Sequence, residues 1–188
     1  MKEVLALIGS ARKEGNTAVL VDKILAGIRE KNKKVKIYKY FLHELKINPC
    51  QSCYFCVDNS GCQQKDDMAK IYRLLKRIDF LIIGSPIYMN YVSAQTKLFI
   101  DRLFPYIHPK APKVNKDLKA VLVITYGWEK PDIYDEVIKD IKRVLKWHKI
   151  NVVKTIKGFG YQYKKTEVLE DEKLLKKAYS LGLMLSRL

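Results

Sequence analysis

All four cysteines of the 188-residue chain fall between positions 50 and 62, spaced Cys50-x2-Cys53-x2-Cys56-x5-Cys62. Thiolates are soft ligands suited to iron–sulfur clusters and zinc. Two intervening residues let neighbouring thiolates reach adjacent iron corners, and three close thiols with a fourth soon after match the compact ligand runs of [4Fe–4S] clusters. A structural zinc site is a poorer match, because such sites pair two Cys-x-x-Cys knuckles across a longer gap. Four free or redox-active thiols are the third reading. Disulfides are not the expected use in a chain that opens without a secretory signal.

A second group of residues suits a different chemistry. Gly9-Ser10-Ala11-Arg12-Lys13-Glu14-Gly15-Asn16-Thr17 follows an apolar run ending at Ile8 and leads into a helical pattern. Gly9 and Gly15 permit close backbone approach. Ser10, Asn16 and Thr17 offer short hydrogen-bonding side chains, and a helix N-terminus adds unpaired N–H groups that favour a phosphate. Arg12 can add a charge-assisted contact. The loop is neither a Walker A motif nor a dinucleotide G-x-G-x-x-G pattern. Its plain alternative is an ordinary strand–helix turn.

The elements that must position these residues alternate. Short runs rich in β-branched residues, Val4–Ile8, Val35–Tyr38, Phe80–Gly84, Ala120–Thr125 and Val152–Ile156, suit parallel strands covered on both faces. Between them lie amphipathic patterns. Leu20, Ile24 and Ile28 share one stripe, and Met68, Ile71 and Leu75 another after Asp66-Asp67, two acids suited to a helix start. Ala94–Phe104, Ile133–Trp147 and Leu169–Leu188 complete the helical set. The alternation predicts an α/β fold, a flavodoxin-like doubly wound sheet of five parallel strands in the order 2-1-3-4-5 with helices on both faces. One domain over residues 1–188 is expected, with a cysteine-rich insert at about residues 43–65.

In such a sheet, ligands bind beyond the C-terminal strand ends. Gly84-Ser85-Pro86-Ile87-Tyr88-Met89-Asn90 lies past the third strand, where Pro86 is expected to stiffen a turn, and Thr125-Tyr126-Gly127-Trp128 lies past the fourth. Both emerge on the edge of the phosphate loop. A phosphate cradle between two aromatic-bearing loops suits a phosphorylated planar ring.

The motifs G-S-A-R-x-x-G-N-T and S-P-I-Y-M-N-Y-V-S-A-Q-T-K-L-F-I-D-R resemble those of the NADPH-dependent FMN reductase and flavodoxin-like superfamily. The resemblance implies that Ser10, Arg12, Asn16 and Thr17 bind the phosphate of FMN. It implies that Pro86, Ile87, Tyr88, Met89 and Asn90 line the isoalloxazine ring, with Tyr126 and Gly127 contributing from the less closely matched third loop. Asn90 stands where many members carry Gly. The run from Asn48 through the cysteines to Asp66-Asp67-Met68 is similar to that of the iron–sulfur flavoproteins, which implies a [4Fe–4S] cluster on Cys50, Cys53, Cys56 and Cys62 and a homodimer or homotetramer.

The net charge of +16 raises the question of a nucleic acid partner, but the basic residues are scattered and form no stripe interleaved with stacking aromatics. No apolar run approaches the ~18 residues of a membrane helix, so neither nucleic acid nor membrane is expected as a partner and the location expected is cytoplasmic. His43, His108 and His148 share no spacing with one another or with a carboxylate, and each is read as a surface or helix-end residue. Trp147 is read as core, Asp101-Arg102 as a local ion pair, and Trp128 as either a flavin-stacking or a covering residue. No catalytic side-chain pair is present in the pattern, which fits a protein whose cofactor carries the chemistry. The expected function is an FMN oxidoreductase and electron-transfer flavoprotein exchanging electrons between FMN, the cluster and a ferredoxin-like partner. The alternatives are a cluster-free NAD(P)H-dependent FMN or quinone reductase and a non-enzymatic flavodoxin-like shuttle.

Overall fold

Five parallel strands form the centre of the molecule in a computed structural model that describes residues 1–108, 110, 113–161 and 166–187. In chain order the strands are β1 (Glu3–Ile8), β2 (Lys36–Phe41), β3 (Phe80–Tyr88), β4 (Tyr91–Val92), β5 (Lys119–Thr125) and β6 (Asn151–Gly158). The sheet runs β2-β1-β3-β5-β6, with the two-residue β4 antiparallel on the end of β3. Setting β4 aside, this is the expected 2-1-3-4-5 order. β1 lies between β2 and β3, with Leu5 opposite Tyr38 on one side and Leu81 on the other.

The strand pleat sorts the apolar residues between two layers. Leu5, Leu7, Leu81, Ile83 and Leu122 face α3 (Met68–Leu75), α4 (Ala94–Asp101) and α5 (Asp135–Trp147). Val4, Ala6, Ile8, Ile82 and Val123 face α1 (Asn16–Lys31) and α6 (Glu172–Leu185). Both faces are covered, which is why the strands read as continuous apolar runs. A short helix, α2 (Phe55–Asp58), lies within the cysteine-rich insert. On the second face α1 and α6 approach backbone to backbone. A Cβ on Gly27 would lie 2.2 Å from the Tyr179 carbonyl oxygen, and one on Gly182 would lie 2.1 Å from that of Ile24.

Several local expectations change. β3 continues through Ser85, Pro86 and Ile87 to Tyr88, so Pro86 sits in a strand and not in a turn. Gly84 accepts a hydrogen bond from Gly9 N–H on the β1 side, and the period of two turns Pro86 to that same side, beyond the end of β1. Its missing N–H therefore costs no ladder bond. The helix expected over Ala94–Phe104 stops at Asp101, and a 3₁₀ turn follows at Phe104–Ile107 around Pro105. Trp147 is not core; it is 59% exposed. The buried stripe of α5 is Ile138, Ile141 and Leu145, and Trp147 falls two residues off it while His148 turns inward at 5% exposure. The last residue of the helix expected over Leu169–Leu188 lies outside the described residues.

Candidate functional site

β1 delivers the chain at Gly9 into the loop expected to hold a phosphate. A Cβ there would lie 1.9 Å from Thr96 Oγ1 and 2.6 Å from Ser93 Oγ, so glycine lets the loop start against the capped N-terminus of α4. Ser10 is buried, and its Oγ accepts the Arg12 N–H at 3.1 Å, which leaves the hydroxyl proton available. Gly15 is the N-cap of α1 and has no side chain with which to cap it, so it leaves first-turn N–H groups of α1 unsatisfied. Those donors and the helix dipole favour an anion. Arg12 is exposed at the loop tip.

Two threonines and one asparagine tie the loop to its neighbours. Thr17 Oγ1 and Thr125 Oγ1 share a buried hydrogen bond of 2.6 Å between α1 and the end of β5. Asn16 Oδ1 accepts the Val168 N–H at 3.1 Å, so its carboxamide oxygen serves the fold and its NH2 is left for a ligand.

The structure brings the expected residues together. Ser10, Arg12, Asn16 and Thr17 line one wall of a cavity of about 260 Å³, and Pro86, Ile87 and Tyr88 with Tyr126 and Gly127 line the other. Met89 and Asn90 do not line it. They border an adjoining open groove that shares Ile87, Tyr126 and Gly127 and adds Trp128 and Tyr134. Gly15 and Thr125, which the sequence placed in the two flanking loops, line the cavity as well; sequence reasoning missed Tyr161 there and Tyr134 in the groove. Tyr161 follows β6 and has no local motif.

The geometry of Asn90 answers why it stands where glycine is common. Tyr88 pairs with Tyr91, and the two residues between them take left-handed conformations, Met89 at φ 46° and Asn90 at φ 65°. Positive φ at both central positions is the two-residue hairpin turn that matches strand twist, and Asn accepts it well. Tyr134 Oη donates to Asn90 Oδ1 at 3.0 Å and fixes the side chain. Met89 has no such excuse and is 98% exposed beside half-exposed Tyr88 and exposed Trp128. Beneath them Tyr126 is buried, with its hydroxyl donating to the Pro131 carbonyl at 2.7 Å. Burial, with Asp135 and Asp132 nearby, pushes its pKa up to about 12, so it remains a neutral wall of the cavity.

The cysteines share a second cavity, lined by all four together with Arg102, Phe104 and Pro105. Cys50 and Cys53 are exposed, Cys62 is partly covered and Cys56 is buried. Ser52 and Tyr54, on either side of Cys53, have positive φ of 50° and 55°. Such alternating backbone turns N–H groups inward and makes an anion-holding concavity. The Phe55 N–H donates to the Cys53 sulfur and lowers its pKa, whereas burial, and then the charges of the other three cysteines, raise that of Cys56. Among the described residues no group of three or more His, Cys, Asp or Glu is set to hold a metal ion. The four thiols thus border one space without converging on a point. By donor chemistry, four soft thiolates on one cavity are a set that fits a [4Fe–4S] cluster.

A clasp closes the base of this loop. Asp67 Oδ2 accepts the Lys46 N–H at 2.8 Å, Asp66 Oδ2 accepts the Asn48 N–H at 3.0 Å, and Asp66 Oδ1 accepts the Met68 N–H at 3.0 Å. The expected Asp101–Arg102 pair does not form. Asp101 lies on the exposed side of α4 and pairs with Lys97 one turn back, while Arg102 turns inward to Asp66. Burial opposes ionisation of Asp66, but hydrogen bonds from Arg102 and the backbone hold its pKa below the usual carboxylate range. α4, about 12 Å long, has the phosphate loop at its N-terminal end and the cysteine cavity at the other.

The profile of the NADPH-dependent FMN reductase family matches residues 2–158. The chain belongs to that family. It is 35% identical, over 96% of its length and 77% of the relative's, to an iron–sulfur flavoprotein of Archaeoglobus fulgidus. It is 37% identical to an iron–sulfur flavoprotein of Methanocaldococcus jannaschii over 55% of this chain and 52% of that one. The chain thus spans about half the length of some of these relatives. Among solved structures, an NAD(P)H:quinone oxidoreductase from Methanothermobacter marburgensis superposes with a TM-score of 0.74 at 16% identity, with 98% of each chain covered. An FMN-dependent NADH-azoreductase of Bacillus anthracis in complex with FMN gives 0.71 at 14% identity, covering 99% of this chain and all of that one. These structures share the flavodoxin-like fold. Membership makes the chain an FMN-dependent oxidoreductase with iron–sulfur flavoproteins among its relatives. No described helix is long and apolar enough to cross a membrane.

Proposed function

We propose that this FMN oxidoreductase also carries a [4Fe–4S] cluster and exchanges electrons with an acidic, ferredoxin-like carrier. The observation that carries the reading is the placing of all four thiols on one cavity, with the clasp at its base. In this reading Ser10, Arg12, Asn16 and Thr17 hold the phosphate, with the uncapped first turn of α1. Pro86, Ile87 and Tyr88 with Tyr126 and Gly127 flank the ring, and Met89 and Asn90 shape the groove beside it. Cys50, Cys53, Cys56 and Cys62 ligate the cluster. When bound, FMN supplies two-electron and the cluster one-electron chemistry, so the pair links partners of both kinds. The side chains position the centres, and the buried Tyr126 keeps its proton.

The charge of +16 suits an acidic partner and speeds its encounter at low salt. Residues 1–188 act as one domain in the cytoplasm, and the exposed Tyr88, Met89 and Trp128 fit a homodimer or homotetramer that covers them. Stopped-flow mixing with reduced ferredoxin tests the proposal. Rapid flavin bleaching that slows steeply with salt supports it, and a slow, salt-insensitive reaction rejects it.

A second reading is a cluster-free NAD(P)H-dependent FMN or quinone reductase. The wide groove bordered by Met89, Asn90 and Trp128 favours it, since it leaves room for a second planar ligand. Fast bleaching by NADPH in protein without iron would select it. A flavodoxin-like shuttle ranks below both, because the cysteine cavity would then have no use.

A further inference from the structure

We infer that Arg102 sets the reduction potential of the centre held by Cys50–Cys62, acting through the Cys62 sulfur. This rests on the cluster reading above. Arg102 is among the largest fully buried side chains, at 1% exposure. Burying a guanidinium costs several kcal/mol unless its hydrogen bonds are met, so its partners show what it is there for. Nη1 donates to the Asn48 carbonyl at 2.7 Å and to Asp66. Nη2 donates to Asp66 Oδ1 at 3.2 Å and to Cys62 Sγ at 3.6 Å. Nε is buried with no partner among the described residues.

Those contacts serve two ends. Asn48 lies two residues before Cys50 and Asp66 four residues after Cys62, so the fork fastens both ends of the ligand loop. A carboxylate alone would satisfy that need. The Nη2–H on the Cys62 sulfur places positive charge at a thiol itself. Hydrogen bonds to cluster sulfurs and net charge are levers on the potential. One-electron reduction by dithionite makes and breaks no bond in the protein; it adds one negative charge beside Arg102. That charge is better tolerated with the guanidinium present, and Asp66 partly opposes it. Arg102 is therefore a positioning and tuning residue, and its pairing with Asp66 leaves a bias of one sign.

The experiment is an anaerobic dithionite titration followed by EPR, with the FMN potential of the same sample as internal reference. Arg102→Gln, carrying four irons, should shift the cluster's one-electron equilibrium toward the oxidised form by at least tenfold, which is ~59 mV, while FMN stays in place. Asp66→Asn should shift it the other way. Loaded variants with the wild-type potential would overturn the inference, as would loss of iron with an unchanged potential in the centres that remain, since that marks a clasp alone. If Arg102→Gln does not fold, Asp66→Asn decides by itself: no positive shift sinks the idea. A wild-type protein without iron and sulfide fails the cluster reading itself, and is told apart by metal analysis before any titration.

Discussion

Removing the guanidinium of Arg12 probes the phosphate loop with little risk to the fold, because the side chain is exposed. What holds the loop uses the Arg12 backbone, its N–H donating to Ser10 Oγ and its carbonyl accepting from the Gly15 N–H, and Arg12→Ala keeps both. A charge-assisted hydrogen bond contributes about 1.5–3 kcal/mol. Solvent screening of an exposed group places Arg12 at the lower end, ~1.5 kcal/mol, which is roughly tenfold in Kd. The assay is flavin fluorescence quenching on titration into apoprotein, with FMN and riboflavin in parallel at low and high salt. Arg12→Ala should weaken FMN about tenfold at low salt and less at high salt, and should leave riboflavin, which has no phosphate, nearly unchanged. Equal losses for both ligands, or no loss for FMN at low salt, would show that the phosphate does not sit in this loop.

Cys62→Ser should lose most of the iron of anaerobically prepared protein while keeping FMN one to one; simultaneous loss of both would deny that the two cavities are separate sites. Gly182→Ala should destabilise the fold by about 2 kcal/mol or more, ~4–8 °C in Tm for a chain of this size, because the new Cβ meets the Ile24 carbonyl at 2.1 Å and backbone cannot yield. An unchanged Tm by calorimetry would contradict the α1–α6 packing. Burial lowers the pKa of His148, and its Nδ1 contacts the Val144 carbonyl at 2.7 Å. Its folded pKa lies below its unfolded value of about 6.5, so stability is full above ~6.5 and falls as pH drops toward the folded pKa. Urea midpoints at pH 5 and 7.5 should differ in the wild type and differ less in His148→Gln; equal pH dependence in the two would remove His148 from the account.

The sheet was legible because five β-branched runs and the stripes between them carry two periodicities that tertiary packing reinforces. That Ser10, Arg12, Asn16 and Thr17 share one wall of a cavity was legible because they lie close together in sequence and end at a helix start. What escaped depends on partners distant in sequence. Pro86 read as a turn because local chemistry does not show that β1 has already ended beside it. Trp147 read as core because apolar character is visible and the ~200° that two residues turn around a helix is not. Arg102 was given to its neighbour Asp101, whereas its true partner lies 36 residues earlier and the pairing exists only once α4 is laid beside the cysteine loop. Tyr161 reaches the cavity from beyond the end of β6, which only the folded sheet brings near the loop.

The two cavities at opposite ends of α4 make a claim about composition that metal and flavin analysis can read directly. Protein purified under strict anaerobiosis should contain one FMN, about four irons and about four sulfides per chain, with a broad absorbance that dithionite bleaches beyond the flavin bands. One FMN with no iron or sulfide under those conditions would contradict the account and leave a flavin reductase with four free thiols.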